Sequence, residues 1–85
     1  MVSEGIFTVY VLYSDAFDKH YTGFTSRLEA RIQSHNALSG KGYTRRFRPW
    51  RLIYQKEFAV KSEAMLHEKW LKTGVGREFI KQLNH

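Results

Sequence analysis

Four side chains in the first half of the chain have the chemistry needed to act on a phosphate group. Tyr10 and Tyr21 lie in short segments rich in aromatic and β-branched residues, whereas Arg31 and His35 lie four residues apart in a later segment. A guanidinium can bind two phosphate oxygens at once, and an imidazole can hold or transfer a proton near neutral pH. These residue types suit phosphate chemistry, but they include no acidic group that could hold a metal ion.

Glu68 supplies an acidic group in the second half of the chain. It lies in a segment with helical spacing, four residues after Ala64 and three before Leu71, so a carboxylate interrupts an apolar stripe. Burying an unpaired carboxylate costs several kcal/mol, and such a group normally has a cation or a strong donor beside it. We interpret Glu68 as a metal ligand. The alternative is an ordinary helix ion pair with Lys72, four residues later.

The other candidates also have simpler structural interpretations. Tyr10 and Tyr21 could be ordinary strand aromatics. Arg31 could be a surface arginine whose stem alone is covered. For His35, a structural hydrogen bond competes with a phosphate contact or a proton-transfer role. The residues taken one at a time leave these alternatives open.

Two strands are predicted to position the tyrosines. Residues 7–13 and 20–24 are dense in β-branched and aromatic residues, and a turn separates them. Strand alternation places Tyr10 on one face of the first strand and Val9 and Val11 on the other. Gly23 in the second strand predicts either a close backbone approach or a bulge.

Three helices and a third strand are predicted after this hairpin. The capping-box pattern of Ser26 and Glu29 predicts a helix over residues 28–38, on which Arg31 and His35 share one stripe with apolar residues. A third strand is predicted over 52–58, a second helix over 61–73 closed by Gly74, and a short third helix around 79–83. The order β-β-α-β-α-α predicts an α+β fold: a three-stranded, mainly antiparallel sheet flanked by helices, in a single domain over residues 1–85.

Composition restricts the class of protein. Of the 85 residues, 42% are apolar and 15% aromatic, enough for a packed core, and no apolar run is long enough to span a membrane. Cysteine is absent, which removes disulfides and thiolate metal sites. We see no secretory signal and expect a cytoplasmic location. The net charge of +6 favours a polyanionic partner such as nucleic acid.

Part of the positive charge is concentrated in one segment, residues 40–51, where cations alternate with aromatic side chains. Its alternative interpretation is a solvated connector whose aromatics pack underneath. We favour a nucleic-acid surface, with cations on phosphates and aromatics against bases. It has no evident base-reading element, so low sequence specificity is expected. The predicted binding residues are Lys41, Tyr43, Arg45, Arg46, Arg48 and Trp50.

Taken together, these motifs resemble the GIY-YIG nuclease family, and in particular its small stand-alone members, over roughly residues 7–83. Thr8-Val9-Tyr10 corresponds to the first tripeptide and Tyr21-Thr22-Gly23 to the second; Arg31, His35 and Glu68 match the motif arginine, a frequent histidine and the metal-binding glutamate. Thr8 replaces the first glycine and Thr22 the isoleucine, and both changes leave the tyrosines in register. Phe24 stands where some members have a lysine.

The resemblance implies a magnesium- or manganese-dependent endonuclease that hydrolyses phosphodiester bonds in DNA. Tyr10, Tyr21, Arg31 and His35 would be its catalytic residues, with Glu68 as the metal ligand. One phenol, in our interpretation Tyr21, would help to deprotonate the attacking water. A free phenol has a pKa of about 10, so this role requires positive charge nearby.

The alternative function is a non-catalytic nucleic-acid-binding module on the same fold. RNA or a branched or damaged nucleic acid stays open as the substrate, and so does the oligomeric state. Members of the family often carry a separate targeting domain, and 85 residues leave no room for one. A targeting partner is therefore one expectation.

Overall fold

The computed structural model describes residues 6–36 and 46–83, which form three strands and three helices. Their order is β1 (Phe7–Ser14), β2 (Lys19–Thr25), α1 (Leu28–Asn36), β3 (Arg51–Phe58), α2 (Lys61–Leu71) and α3 (Gly74–Lys81). The strands form one sheet in the order β2-β1-β3, and both pairings are antiparallel. The predicted α+β architecture is confirmed. No helix in this part of the chain is long and apolar enough to cross a membrane.

The β1–β2 hairpin sets the register of the motif residues. Its turn ends at Asp18, whose φ of 54° lies in the left-handed region that aspartate tolerates better than most residues. The Asp18 amide donates to the Ser14 carbonyl over 2.8 Å. Across the hairpin, Tyr10 lies opposite Gly23 and Leu12 opposite Tyr21. Directly opposed side chains share a face of the sheet, so both tyrosines are brought to the same face.

Both faces of the sheet are covered, in agreement with the predicted alternation along β1. Val9 and Val11 pack against the helical layer, where Ala64, Leu71 and Ile80 are buried. On the opposite face, the buried residues are Tyr10, Leu12 and Trp50, and Tyr21, Leu28 and Ile32 pack against them. The central strand β1 therefore contributes buried side chains to both hydrophobic clusters of the domain.

The junction between α2 and α3 differs from the prediction. Gly74 does not close α2; it is the first residue of α3, and α2 ends at Leu71. The reason is Thr73, whose hydroxyl accepts a hydrogen bond from the Gly76 amide at 3.2 Å and so caps the new helix. A Cβ added at Gly76 would overlap the carbonyl of Trp70. This glycine permits the tight approach that turns α3 back onto α2.

Candidate active site

Tyr10 occupies the centre of the candidate site. Its side chain is fully buried at 0% exposure, on the face of β1 that looks toward α1. Its phenol oxygen lies 3.0 Å from Nε2 of His35, a residue that is itself only 7% exposed. The last turn of α1 and the middle of β1 are thus joined by a buried hydrogen bond between two predicted site residues.

Tyr21 lies beside this pair and is more accessible than Tyr10. The centroid of its ring is 4.6 Å from that of His35 and 6.3 Å from that of Tyr10. Trp50 contacts it from another side with a ring-centroid distance of 6.4 Å. Tyr21 is half-buried, so it is the more accessible of the two tyrosines.

Burial sets the protonation states of the Tyr10–His35 pair. It raises the pKa of the Tyr10 phenol, an effect that a hydrogen bond from Arg31 partly offsets. Burial also lowers the pKa of the His35 imidazole, and the positive charge of Arg31 lowers it further. At neutral pH both groups are therefore neutral. We assign the Tyr10 hydroxyl as the donor and Nε2 of His35 as the acceptor, because the phenol oxygen already accepts from Arg31.

This protonation state predicts a loss of stability in mild acid. The pKa of His35 in the folded protein is below its ordinary value of 6.5, so the unfolded chain binds the proton more readily. The stabilisation is present above pH 6.5 and is lost as the pH falls below it. We expect the wild-type melting temperature to drop between pH 7.5 and pH 5.5.

Replacement of His35 isolates its share of this effect, because burial also lowers the pKa of His67. His35→Gln should have a lower melting temperature at neutral pH but a shallower dependence on pH. Equal slopes in the wild type and the variant would show that His35 does not titrate as its burial indicates.

Gly23 provides the space in which the two phenol rings lie. A Cβ built at this position would be 2.9 Å from the hydroxyl oxygen of Tyr10 and 3.3 Å from Cε2 of Tyr21. The close approach predicted at Gly23 is therefore made by side chains, with Tyr10 directly opposite in the strand pair. The Tyr10 ring is buried and hydrogen-bonded, so it cannot swing away at low cost.

Gly23→Ala is accordingly expected to destabilise the domain by about 1–3 kcal/mol, the usual range for overpacking a well-filled core. Gly74→Ala is the matched control, since a Cβ there meets nothing within 4 Å. The control should be neutral or slightly stabilising, because alanine restricts the unfolded chain. Urea unfolding of both variants measures the difference. Equal unfolding free energies would contradict this packing.

Arg31 and Glu68 approach Tyr10 from two different helices. Arg31, on α1, hydrogen-bonds to the Tyr10 phenol, and the negative charge of Glu68, on α2, raises the pKa of the same phenol. The Arg31 side chain is exposed and that of Glu68 is 19% exposed. His35 and Tyr21 thus lie against Tyr10, and the charges of Arg31 and Glu68 both act on its phenol.

Glu68 has a cationic partner within its own helix. Nζ of Lys72 donates to its Oε2 at 3.0 Å, an i,i+4 ion pair. This is the pairing that the sequence offered as the alternative to metal binding. Because the Lys72 side chain is 55% exposed, the pair contributes little stability.

The donor set around Glu68 fits a weakly held Mg²⁺ better than a tightly held transition metal. Within residues 6–36 and 46–83, no three His, Cys, Asp or Glu side chains come together as a metal cluster. Magnesium is commonly held by one or two carboxylates, with water and substrate phosphate completing its shell. A single partly exposed carboxylate is compatible with that habit.

The predicted nucleic-acid segment is described only in part. Lys41, Tyr43 and Arg45 lie outside the described residues. Arg46 is exposed, and its guanidinium lies 5.5 Å from the ring centroid of Phe47. Arg48 is half-buried.

Trp50 differs from the prediction of a base-stacking residue. Its side chain is 4% exposed and belongs to the cluster around Tyr10 and Leu12. Asn36 fixes this position through its side chain, which accepts from the Trp50 amide at 2.6 Å and donates to the Trp50 carbonyl at 3.1 Å. The Trp50 ring therefore packs in the cluster with Tyr10 and Leu12 and is not available to stack on a base.

Two long-range contacts were not identified from the sequence. Asn36 ties the end of α1 to Trp50, the residue before β3, and no local pattern signalled this contact. Asp15 accepts from Arg51 at 2.7 Å and 3.0 Å, so this cation of the basic segment is paired across the domain. Burial and long-range pairing of this kind cannot be read from local sequence.

The comparisons of this chain with known proteins agree on one family. The sequence profile of the GIY-YIG catalytic domain matches residues 6–82. A UPF0213 protein of Staphylococcus haemolyticus is 46% identical over 63 residues, or 74% of this chain and 77% of that protein. One of Oceanobacillus iheyensis is 46% identical over 52 residues, or 61% and 60%. The solution NMR structure of UPF0213 protein BH0048 from Bacillus halodurans has a TM-score of 0.55 at 32% identity, over 93% of this chain and 85% of that one. The names of these relatives state no activity.

Proposed function

Because the chain belongs to the GIY-YIG family, whose domain is generally that of a nuclease, we propose that it is a divalent-metal-dependent endonuclease. Its substrate is DNA, cut at phosphodiester bonds with low sequence specificity. The observation that carries this proposal is the packing of His35 and Tyr21 against the buried phenol of Tyr10, on which the charges of Arg31 and Glu68 also act. These side chains come from four different elements.

Arg31 has the role of binding the scissile phosphate. The Arg31 side chain is exposed, and its guanidinium hydrogen-bonds to the Tyr10 phenol, so the group is anchored and still open to solvent. A planar guanidinium can donate to two phosphate oxygens and stabilise the negative charge that grows on them in the transition state. The partial anchoring limits how far the group must reorganise during the reaction.

Tyr21 has the role of accepting a proton from the attacking water. Its ring is half-buried against His35 and Trp50, which fixes its direction. The phenol oxygen can orient the attacking water by a hydrogen bond and, as general base, take up its proton.

Tyr10 and His35 act as positioning residues. The raised pKa of Tyr10 keeps it protonated, so it is suited to donating a hydrogen bond and not to acting as a base. Its bond to His35 joins β1 to α1 and so fixes the distance between the strands that carry the tyrosines and the helix that carries Arg31. Glu68 would hold the divalent cation, which when bound polarises the phosphate and stabilises the leaving oxygen.

The second candidate is a nucleic-acid-binding module without catalysis. The Glu68–Lys72 ion pair favours it, because a carboxylate satisfied by its own helix needs no metal. The gathering of Arg31 and Tyr21 around Tyr10 favours catalysis instead, since binding alone needs no accessible phenol held beside a buried tyrosine–histidine pair.

A cleavage screen tests the choice between the two functions. Purified wild-type protein is incubated with duplex, single-stranded, nicked and flap DNA and with RNA, in Mg²⁺, Mn²⁺ or EDTA. Metal-dependent cleavage that is absent from an identically purified Glu68→Ala preparation is expected. Binding without cleavage of any substrate would place the non-catalytic module first.

A further inference from the structure

A groove with a volume of about 550 Å³ opens at the free edge of the sheet. It lies between β2, an outer strand, and the helical layer formed by α2 and α3. Leu71 and Ile80, which belong to the hydrophobic core, line its apolar part. Three cations from the helical layer, Lys72, Arg77 and Lys81, line it as well. Its volume lies within the range of typical ligand sites.

The electrostatic character of the groove favours an anionic ligand. Lys72, Arg77 and Lys81 are all exposed at its margin. The only carboxylate among the described lining residues is Asp18, and it already accepts a hydrogen bond from the Tyr13 hydroxyl at 3.0 Å. Positive charge in a concave surface concentrates anions more strongly than the same charge on a flat one.

Two of the residues that line the groove also contact residues of the candidate active site. Tyr21 lines the groove, and its ring is 4.6 Å from that of His35 by centroid. Lys72 also lines the groove while its ammonium donates to Glu68. These shared residues place the groove next to the candidate site.

We infer that this groove binds the sugar–phosphate backbone of the substrate strand next to the scissile phosphate, with Arg77 and Lys81 as its phosphate ligands. The inference rests on the proposed function, because it assigns the groove to the same nucleic-acid substrate. It adds a second binding surface, built by α3, to the basic segment that precedes β3.

A pair of charge-matched double variants tests the groove. Arg77→Ala/Lys81→Ala removes two cations from the groove. Lys61→Ala/Lys69→Ala removes two exposed cations from α2 that are not among the residues lining it. Lys72 is left intact because it also pairs with Glu68. Circular dichroism and thermal melting establish that both proteins fold.

The readout is fluorescence anisotropy of labelled oligonucleotides in EDTA, over a range of salt concentrations. Each lost phosphate contact flattens the log–log salt dependence by about 0.9 on duplex DNA, so the groove variant should lose about 1.8 from its slope. The control variant should keep the wild-type slope. Equal slopes and equal affinities for the two double variants would overturn the groove assignment.

NMR of the wild-type protein gives a second readout that does not depend on the variants. A short oligonucleotide should shift the amide signals of residues 19–22 and 77–81. Shifts at these residues with inorganic phosphate alone, and none with the oligonucleotide, would overturn the assignment to a strand.

The outcomes separate this inference from the proposed function. If the wild type cleaves but the groove variant binds as the control variant does, the groove assignment is refuted and the proposed function stands. If the wild type binds but does not cleave, and the groove variant binds more weakly than the control variant, the nuclease proposal is refuted and the groove assignment stands. No binding to any nucleic acid refutes both.

Discussion

Glu68→Gln is expected to reduce metal-dependent cleavage by roughly a thousandfold while nucleic-acid binding is retained. The amide keeps the shape of the side chain but loses the charge that holds a divalent cation. A bound metal ion supplies several kcal/mol of transition-state stabilisation, and each 1.36 kcal/mol corresponds to a factor of ten in rate. Loss of about 4 kcal/mol gives the expected effect.

The same variant should change stability very little. It removes the ion pair with Lys72, whose partners are 19% and 55% exposed, and such helix pairs contribute about 0.3–0.5 kcal/mol. The melting temperature should therefore stay close to that of the wild type. A loss of activity without a loss of stability distinguishes a metal ligand from a residue that supports the fold.

Glu63→Gln is the matched control. Glu63 lies in the first turn of the same helix and is exposed, so the variant makes the same charge change away from Tyr10. Initial cleavage rates across a Mg²⁺ titration, with anisotropy in EDTA for binding, compare the three proteins. Cleavage by Glu68→Gln at the rate of Glu63→Gln would refute the role of Glu68 as metal ligand.

The sequence predicted the sheet well because β1 carries a strong alternating pattern. Val9 and Val11 on one face and Tyr10 on the other are direct consequences of the two-residue period of a strand. The register that sets Tyr10 against Gly23 is fixed by the short turn after Ser14. The alternating pattern of β1 is retained in the fold because the tertiary contacts of the strand agree with it.

The predictions that differ from the structure involve contacts between distant parts of the chain. Trp50 has basic neighbours in the sequence and was predicted to face nucleic acid, but the amide of Asn36 holds its backbone and buries its ring. Gly74 has the residue type of a helix end, but the Thr73 hydroxyl begins a new helix there. Both outcomes depend on hydrogen bonds that residue type alone does not specify.

The candidate site likewise has features that the sequence predicted and features that it did not. Spacing placed Arg31 and His35 on one helical stripe, but it could not show that His35 is buried at Tyr10 while Arg31 stays exposed. The Glu68–Lys72 spacing was compatible with both an ion pair and a metal ligand, and the structure shows the ion pair. When a side chain has two possible partners, only the structure shows which charged group lies beside it.

Replacement of Arg31 has the second largest expected effect. Arg31→Ala should lower the cleavage rate by about 10²–10³-fold, the usual loss when one donor to a developing oxyanion is removed. Arg31→Lys keeps the positive charge but loses the planar fork that binds two phosphate oxygens. Its rate should lie between those of the wild type and Arg31→Ala. Lys61→Ala, which removes an exposed cation at the start of α2, should cleave at nearly the wild-type rate.

The pKa of His35 provides a readout of Arg31 that is independent of cleavage. The positive charge of Arg31 lowers this pKa, so Arg31→Ala should raise it, whereas Arg31→Lys should leave it closer to the wild-type value. NMR titration of the His35 ring protons measures the shift.

If Arg31→Ala lost cleavage but left the His35 pKa unchanged, Arg31 would act on the substrate from outside the Tyr10–His35 network. If the pKa rose while cleavage was retained, Arg31 would belong to that network without binding the phosphate. Only a change in both supports the proposed arrangement, in which one guanidinium contacts the buried phenol and the scissile phosphate together.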